Sequence, residues 1–194
     1  MSTQYDAVDP VGDEVVANLA RAALFAALMG AFAYVSFPNP LAPGIPVTLQ
    51  VLGVFLAGIM LGPAWGAFAL VVYLAAGALG VPVFSGGSAG VGALLGPTGG
   101  YLLSYPLAAL AVGAVVHRGP SLRDFRAAST PILVGGMVAG TALIYAGGVL
   151  GLMLFGDYGL AGAFTAGVVS FLPVEALKIA AAVGVVRSER IAAA

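Results

Sequence analysis

The chain has 194 residues, of which 61% are hydrophobic and 8% charged; its net charge is −1, its mean hydropathy +1.07, and it has no cysteine. A soluble domain carries about 25% charged residues, so this chain has no means of covering a water-facing surface, and an ordinary soluble enzyme, a disordered protein and a nucleic-acid binder are excluded. Seven Lys+Arg cannot neutralise a phosphate backbone, and without cysteine there is neither a disulfide framework nor a thiolate metal site, which leaves an integral membrane protein.

The first 18 residues are polar and acidic (Asp6, Asp9, Asp13, Glu14) and read as a cytoplasmic tail before a single membrane domain over 19–190. A cleaved signal peptide starts basic, so the first helix is expected to be retained. From Ala22 to Val116 there is no Asp, Glu, Lys, Arg or His. One crossing needs about 20 residues, so this stretch must fold back several times, and Pro and Gly clusters mark where. Helix 1 is expected over 19–36, stopping at Phe37-Pro38-Asn39-Pro40. Helix 2 covers 47–61 and ends at Gly62-Pro63, and helix 3 follows over 64–80. A Gly-rich loop occupies 81–97, then helix 4 covers 99–116, helix 5 covers 131–154 and helix 6 covers 160–186. The fold class is an all-α bundle of six transmembrane helices.

Six passes put both termini on one side of the membrane. Arg21, Arg118, Arg123, Arg126, Arg187 and Arg190 then all fall on that side. Cytoplasmic loops hold the excess Lys and Arg, so both termini are expected in the cytoplasm of a multi-pass plasma-membrane protein. Much of the glycine lies inside the spans, as in Gly58/Gly62/Gly66, Gly136/Gly140 and Gly147/Gly151, where small residues let backbones approach. Helix 1 carries two overlapping ladders, Ala22/Ala26/Gly30 and Ala23/Ala27/Ala31, flat strips able to seat a neighbouring helix of this chain or of another protein.

Helix 6 holds the costly feature. Glu175 and Lys178 are ionisable groups deep in the span, and Lys178 is the only lysine of the chain. Lys178 lies ~13 Å from the helix end at Arg187 at 1.5 Å per residue, near the middle of a ~30 Å hydrocarbon layer. A charge there costs roughly 3 kcal/mol on insertion scales, and intramembrane ionisable groups are site candidates by default. The i,i+3 spacing puts both on one helix face. Pro173, just before them, is expected to free backbone carbonyls one turn earlier. The competing reading is an ion pair that only locks helix 6.

Thr48, Gln50, Tyr73, Ser85, Ser88, Thr98, Tyr101 and Tyr105 are further candidates for a polar cavity wall, all but Tyr73 at the outer end. The loop Pro38–Pro46 has four prolines and reads either as a stiff lid over an outer opening or as a plain connection. A P-loop needs Gly-Lys-Ser/Thr, whereas Lys178 follows Leu177. Gly86-Gly87-Ser88-Ala89-Gly90 matches G-x-S-x-G, but the only histidine, His117, belongs to the opposite end of the bundle, out of reach as a base. No carboxylate cluster suits a metal. The chain is not expected to be an enzyme.

Four blocks occur in order: Pro46-Val47-Thr48-Leu49-Gln50, Gly80-Val81-Pro82-Val83-Phe84, Gly96-Pro97-Thr98-Gly99-Gly100-Tyr101 and Leu172-Pro173-Val174-Glu175-Ala176-Leu177-Lys178. Together they resemble the BioY family, the biotin-binding S components of energy-coupling-factor (ECF) vitamin transporters, over roughly residues 22–186. The resemblance implies the six-helix S-component fold, biotin as ligand near the outer face and no cofactor. It implies as partners an energy-coupling membrane protein and a pair of ATPases, docked on one of the helix 1 ladders (Ala22, Ala23, Ala26, Ala27). It also implies a ligand site of Glu175 and Lys178 with polar groups of the early loops, Thr48, Gln50, Ser85 and Tyr101. Glu175 stands where the family usually has Asp. The alternative from another class is a small assembly subunit of a membrane complex, with no ligand.

Overall fold

Residues 12–188 are described by a computed structural model. Asp13 and Glu14 open its first helix, α1 (Asp13–Tyr34), where carboxylates meet the positive end of the helix dipole. The helix thus starts at Asp13 rather than Leu19, and residues 13–18, read as tail, are helical. Asp6, Asp9 and Arg190 lie outside the described residues. At the other end α1 stops before Ser36, because Phe37 precedes Pro38 and the residue before a proline is driven to extended backbone. Two short strands result, β1 (Ser36–Phe37) and β2 (Val47–Thr48), paired antiparallel with Ser36 opposite Thr48 and Phe37 opposite Val47. Neither strand is predicted from the sequence. The ribbon closes the proline-rich segment 38–46 into a loop.

Helix α2 (Gln50–Ala78) contains both helices expected over 47–61 and 64–80. Its hinge is Gly62, at φ 78° and ψ −179°, a backbone conformation open to glycine and not to side-chain-bearing residues. Pro63 then starts the second arm, where its missing N–H is not needed. The arms 50–61 and 63–78 fold back on each other: Gln50 Nε2 lies 2.7 Å from the Tyr73 hydroxyl, whereas 23 residues of straight helix span ~35 Å. Pro63 also deprives the Ile59 carbonyl of its helical donor. His117, fully buried, supplies one: its Nε2 is 2.9 Å from Ile59 O, and its Nδ1 accepts the Arg123 backbone N–H at 3.0 Å. That second bond assigns the ring proton to Nε2.

A one-turn helix α3 (Val91–Leu94) and a 3-10 turn at Ser85–Gly87 punctuate the 81–97 segment. Helices α4 (Gly99–Val116) and α5 (Thr130–Phe155) match expectation closely. The sixth pass is broken: α6 (Leu160–Gly167), a 3-10 turn at Val169–Phe171, then α7 (Leu172–Arg187). Pro173 therefore sits in the first turn of a new helix instead of interrupting an old one, which corrects the expected source of free carbonyls. The break lies at Val168 (φ −124°, ψ −64°), and the carbonyls it releases are taken by side chains: Tyr101 OH donates to Gly167 O at 2.8 Å, and Ser170 Oγ donates to Ala166 O.

Among the described residues five stretches are long and apolar enough to cross a membrane; α2 is one of them and turns back at Gly62, so the chain is a six-pass membrane protein. α4 lies between α2 and α5, and glycine sets the spacing. A Cβ at Gly58 would strike the Ala109 carbonyl, one at Gly140 would strike Val112, and one at Gly151 would strike the Gly100 backbone. These pairs therefore serve packing within the chain. On α1 the two ladders part company. Ala22, Ala26 and Gly30 are buried inside the bundle, whereas Ala23, Ala27 and Ala31 are exposed. Ala22 and Ala26, named above as docking residues, face inward and present nothing to a partner. At the end of α7, Arg187 donates to the carbonyls of Arg126 and Ala128, so it shares one end of the bundle with the arginine-bearing α4–α5 connection.

Candidate functional site

At the end of the bundle away from those arginines lies a cavity of about 480 Å³, within the 300–1,000 Å³ range of small-molecule sites. Its wall is assembled from the 44–48 part of the ribbon loop, the start of α2, the 84–98 segment, the first turns of α4, Tyr145 of α5, and Glu175 and Lys178 of α7. All six residues expected to bind ligand line it: Thr48, Gln50, Ser85, Tyr101, Glu175 and Lys178. Proximity alone does not give them equal freedom to meet a guest.

Thr48 and Gln50 are committed to a chain of hydrogen bonds. Thr48 Oγ1 donates to Gln50 Oε1 (2.9 Å), Gln50 Nε2 reaches the Tyr73 hydroxyl, and Tyr73 donates to the Val83 carbonyl (3.0 Å). Tyr73, 1% exposed, is thus an interior strut that ties the start of α2 to the 81–97 segment. Tyr101 likewise spends its hydroxyl on Gly167, and its ring lies so close over Gly148 that a Cβ there would overlap it; an apolar face is what it has left for a ligand. Ser85 Oγ stands 3.5 Å from Ser36 Oγ, a long contact that keeps the serine close to the ribbon.

Glu175 and Lys178 differ from these. They are 3% and 5% exposed, and Lys178 Nζ lies 3.3 Å from Glu175 Oε2. Glu175 occupies the first turn of α7, where the helix dipole favours an anion; the break at Val168 creates that helix end inside the bundle. A second donor reaches the same oxygen, the Tyr145 hydroxyl at 3.1 Å. Oε1 of Glu175 has no hydrogen-bond partner among the described residues, and the ammonium has three donors to offer with one bond made to protein. Burial without partners is expensive, so the pair is built with spare capacity for one more polar group. Both side chains line the cavity.

Tyr145 was absent from the sequence-derived site. The signal available was that it is the only tyrosine in a glycine-rich span, Gly135–Gly151; nothing in its spacing to residues 175 and 178 places it beside them. Tyr105 also lines the cavity, 4% exposed. Ser88 Oγ is bonded to its own loop at Ser85 O, and both ring nitrogens of His117 are engaged elsewhere, so the G-x-S-x-G match builds no nucleophile and base. Above the cavity, Asn39 of the ribbon loop donates through Nδ2 to Ser170 Oγ at 3.1 Å, which latches the loop to the break of the sixth pass.

Comparison with known proteins agrees with this architecture. The biotin transporter BioY of Rhodobacter capsulatus is 40% identical over 143 residues, covering 74% of this chain and 73% of that protein. The biotin transporter BioY of Thermotoga maritima is 35% identical over 165 residues, 85% of this chain and 90% of its own. The crystal structure of the S-component for biotin from an ECF-type ABC transporter shares the fold, with a TM-score of 0.78 at 24% identity over 93% of this chain and 94% of that one. A family model described as the BioY family matches residues 2–193, and the chain belongs to that family.

Proposed function

We propose that this protein is the biotin-binding, substrate-specificity subunit of an ECF-type vitamin transporter. The observation that carries the reading is the Glu175–Lys178 pair, buried on the wall of a cavity with hydrogen-bonding capacity left over. Biotin has a ureido ring with two N–H donors and a carbonyl, an apolar sulfur ring and a carboxylate tail. Glu175 accepts a ureido N–H, and Lys178 meets the ring carbonyl or the carboxylate. The rings of Tyr101 and Tyr105 cover the apolar part. Thr48 and Gln50, held by Tyr73, shape the wall, and Ser85 stands at its rim.

Transport then needs energy from elsewhere, because the sequence has no phosphate-binding Gly-Lys-Ser/Thr loop. An energy-coupling membrane protein with a pair of ATPases supplies it, docked on the exposed strip Ala23/Ala27/Ala31. The arginine-rich end of the bundle faces the cytoplasm, with both termini, and the cavity opens outward beneath the ribbon loop. The deciding experiment is equilibrium titration of the purified protein with labelled biotin, paired with thermal unfolding. Saturable binding and a ligand-dependent rise in the unfolding midpoint are expected. Absence of both would favour an assembly subunit without a ligand.

A further inference from the structure

We infer that Tyr145 is a positioning residue for ligand binding, which orients the Glu175 carboxylate from a neighbouring helix; the inference rests on the biotin reading above. Two donors converge on one oxygen, Tyr145 OH at 3.1 Å and Lys178 Nζ at 3.3 Å from Oε2. The second oxygen, Oε1, is buried and has no partner among the described residues. The terminal torsion of a glutamate is broad and roughly two-fold, and Lys178 alone, on the same helix three residues on, does not define the plane of the carboxylate. A second donor from another helix does. Tyr145 comes from α5, is 7% exposed and lines the cavity, so its hydroxyl fixes the plane from a fixed point outside α7.

The consequence is a division of labour between the two oxygens. Oε2 is saturated by protein donors and holds the carboxylate in place; the lone pairs of Oε1 are kept for an N–H of the guest. A glutamate carries one more rotatable bond than an aspartate, so an external anchor matters more here than it would for the shorter acid. The tyrosine touches the acid rather than the ligand in this scheme, and its contribution is felt only while that acid can accept a ligand proton.

That dependence gives the test. Biotin affinity is measured by titration, carried to millimolar ligand, for the parent, Tyr145→Phe, Glu175→Gln and the double variant. The phenylalanine keeps the ring and removes the hydroxyl. Tyr145→Phe is expected to weaken biotin binding by about tenfold in the parent and by less than twofold in the Glu175→Gln background. An equal loss in both backgrounds, or no loss in the parent, overturns the assignment while leaving the biotin reading intact. A parent that binds no biotin overturns the biotin reading, and this inference with it. Should Glu175→Gln bind too weakly to titrate, Glu175→Asp replaces it as the background. Its carboxylate is drawn back by about one bond length, so the effect of Tyr145→Phe must change there; an identical tenfold loss overturns the assignment.

Discussion

Replacing Lys178 by alanine removes the ammonium 3.3 Å from Glu175 Oε2 and leaves a 3%-exposed carboxylate with one hydrogen-bond donor, Tyr145. Two effects follow, and only one concerns function. Breaking a buried ion pair by removing one partner typically costs about 3–5 kcal/mol, which weakens the unliganded fold. The ligand also loses a charged donor, worth about 1.5–3 kcal/mol net; at 1.4 kcal/mol per decade this is roughly a ten- to hundredfold loss of biotin affinity. The two are separated by a companion variant, Glu175→Gln/Lys178→Met, which removes both charges at similar volume. Neutral replacement of a buried pair is often without cost to stability, so the double variant is expected to unfold near the parent temperature and still bind biotin at least tenfold more weakly. Titration with labelled biotin reads the affinity, and thermal unfolding of the unliganded protein reads the stability. A double variant that binds as tightly as the parent would refute the reasoning, since the pair would then be a packing device that happens to border a cavity.

Tryptophan at Ala23 or Ala27, both exposed on α1, should leave biotin binding within twofold of the parent and abolish energised uptake in cells supplied with coupling subunits; uptake surviving both changes would end the docking proposal. His117→Ala strands the Ile59 carbonyl and the Arg123 N–H, both bonded to the ring in the fold. An unpaired buried group costs about 1–3 kcal/mol, so a clear drop in the unfolding midpoint is expected with biotin affinity unchanged, and a variant as heat-stable as the parent would show that the hinge needs no such donor. Asn39→Ala cuts the latch to Ser170. A net hydrogen bond of about 0.5–1.5 kcal/mol corresponds to biotin leaving roughly two- to tenfold faster, and an unaltered dissociation rate would argue that the ribbon loop is a plain connection.

The positions of the six passes were legible because lipid imposes a length and a polarity on each, and because Gly62-Pro63 and the proline-rich segment leave marks that no helix tolerates. What escaped was whatever depends on the third dimension. The residue pair Phe37-Pro38 announces extended backbone, but the pairing of Ser36 with Thr48 joins positions separated by a loop and has no local signature in two-residue strands. The break at Val168 has no mark in the sequence because Gly167 and Val168 are unremarkable in a membrane helix, whereas Pro173, which reads as a helix breaker, is a helix starter in the first turn of α7. The two ladders of α1 are equivalent on paper; only the placement of α2 buries Ala22 and Ala26 and leaves Ala23 and Ala27 outside. For the site, the acid and the amine were readable from cost alone, since a charge in mid-membrane requires a reason. Tyr145 was not, because tyrosine is cheap in a membrane protein and its meaning lies in which oxygen it touches.

The cost argument can be taken one step further. A pair kept purely for packing gains by saturating its hydrogen bonds, since each partner left open in a low-dielectric interior adds a penalty. Here one carboxylate oxygen has no partner among the described residues, and the ammonium makes one of its three bonds there, although Tyr105 of α4 lines the same cavity. At the breaks in its helices three freed carbonyls are capped by side chains: Tyr101 caps Gly167, Ser170 caps Ala166, and His117 caps Ile59; the one other buried side-chain atom without a partner among the described residues is the neutral hydroxyl of Thr141. A fold that caps these neutral carbonyls, yet leaves its charged pair open on a cavity wall, retains that deficit for a ligand whose donors and acceptors complete it.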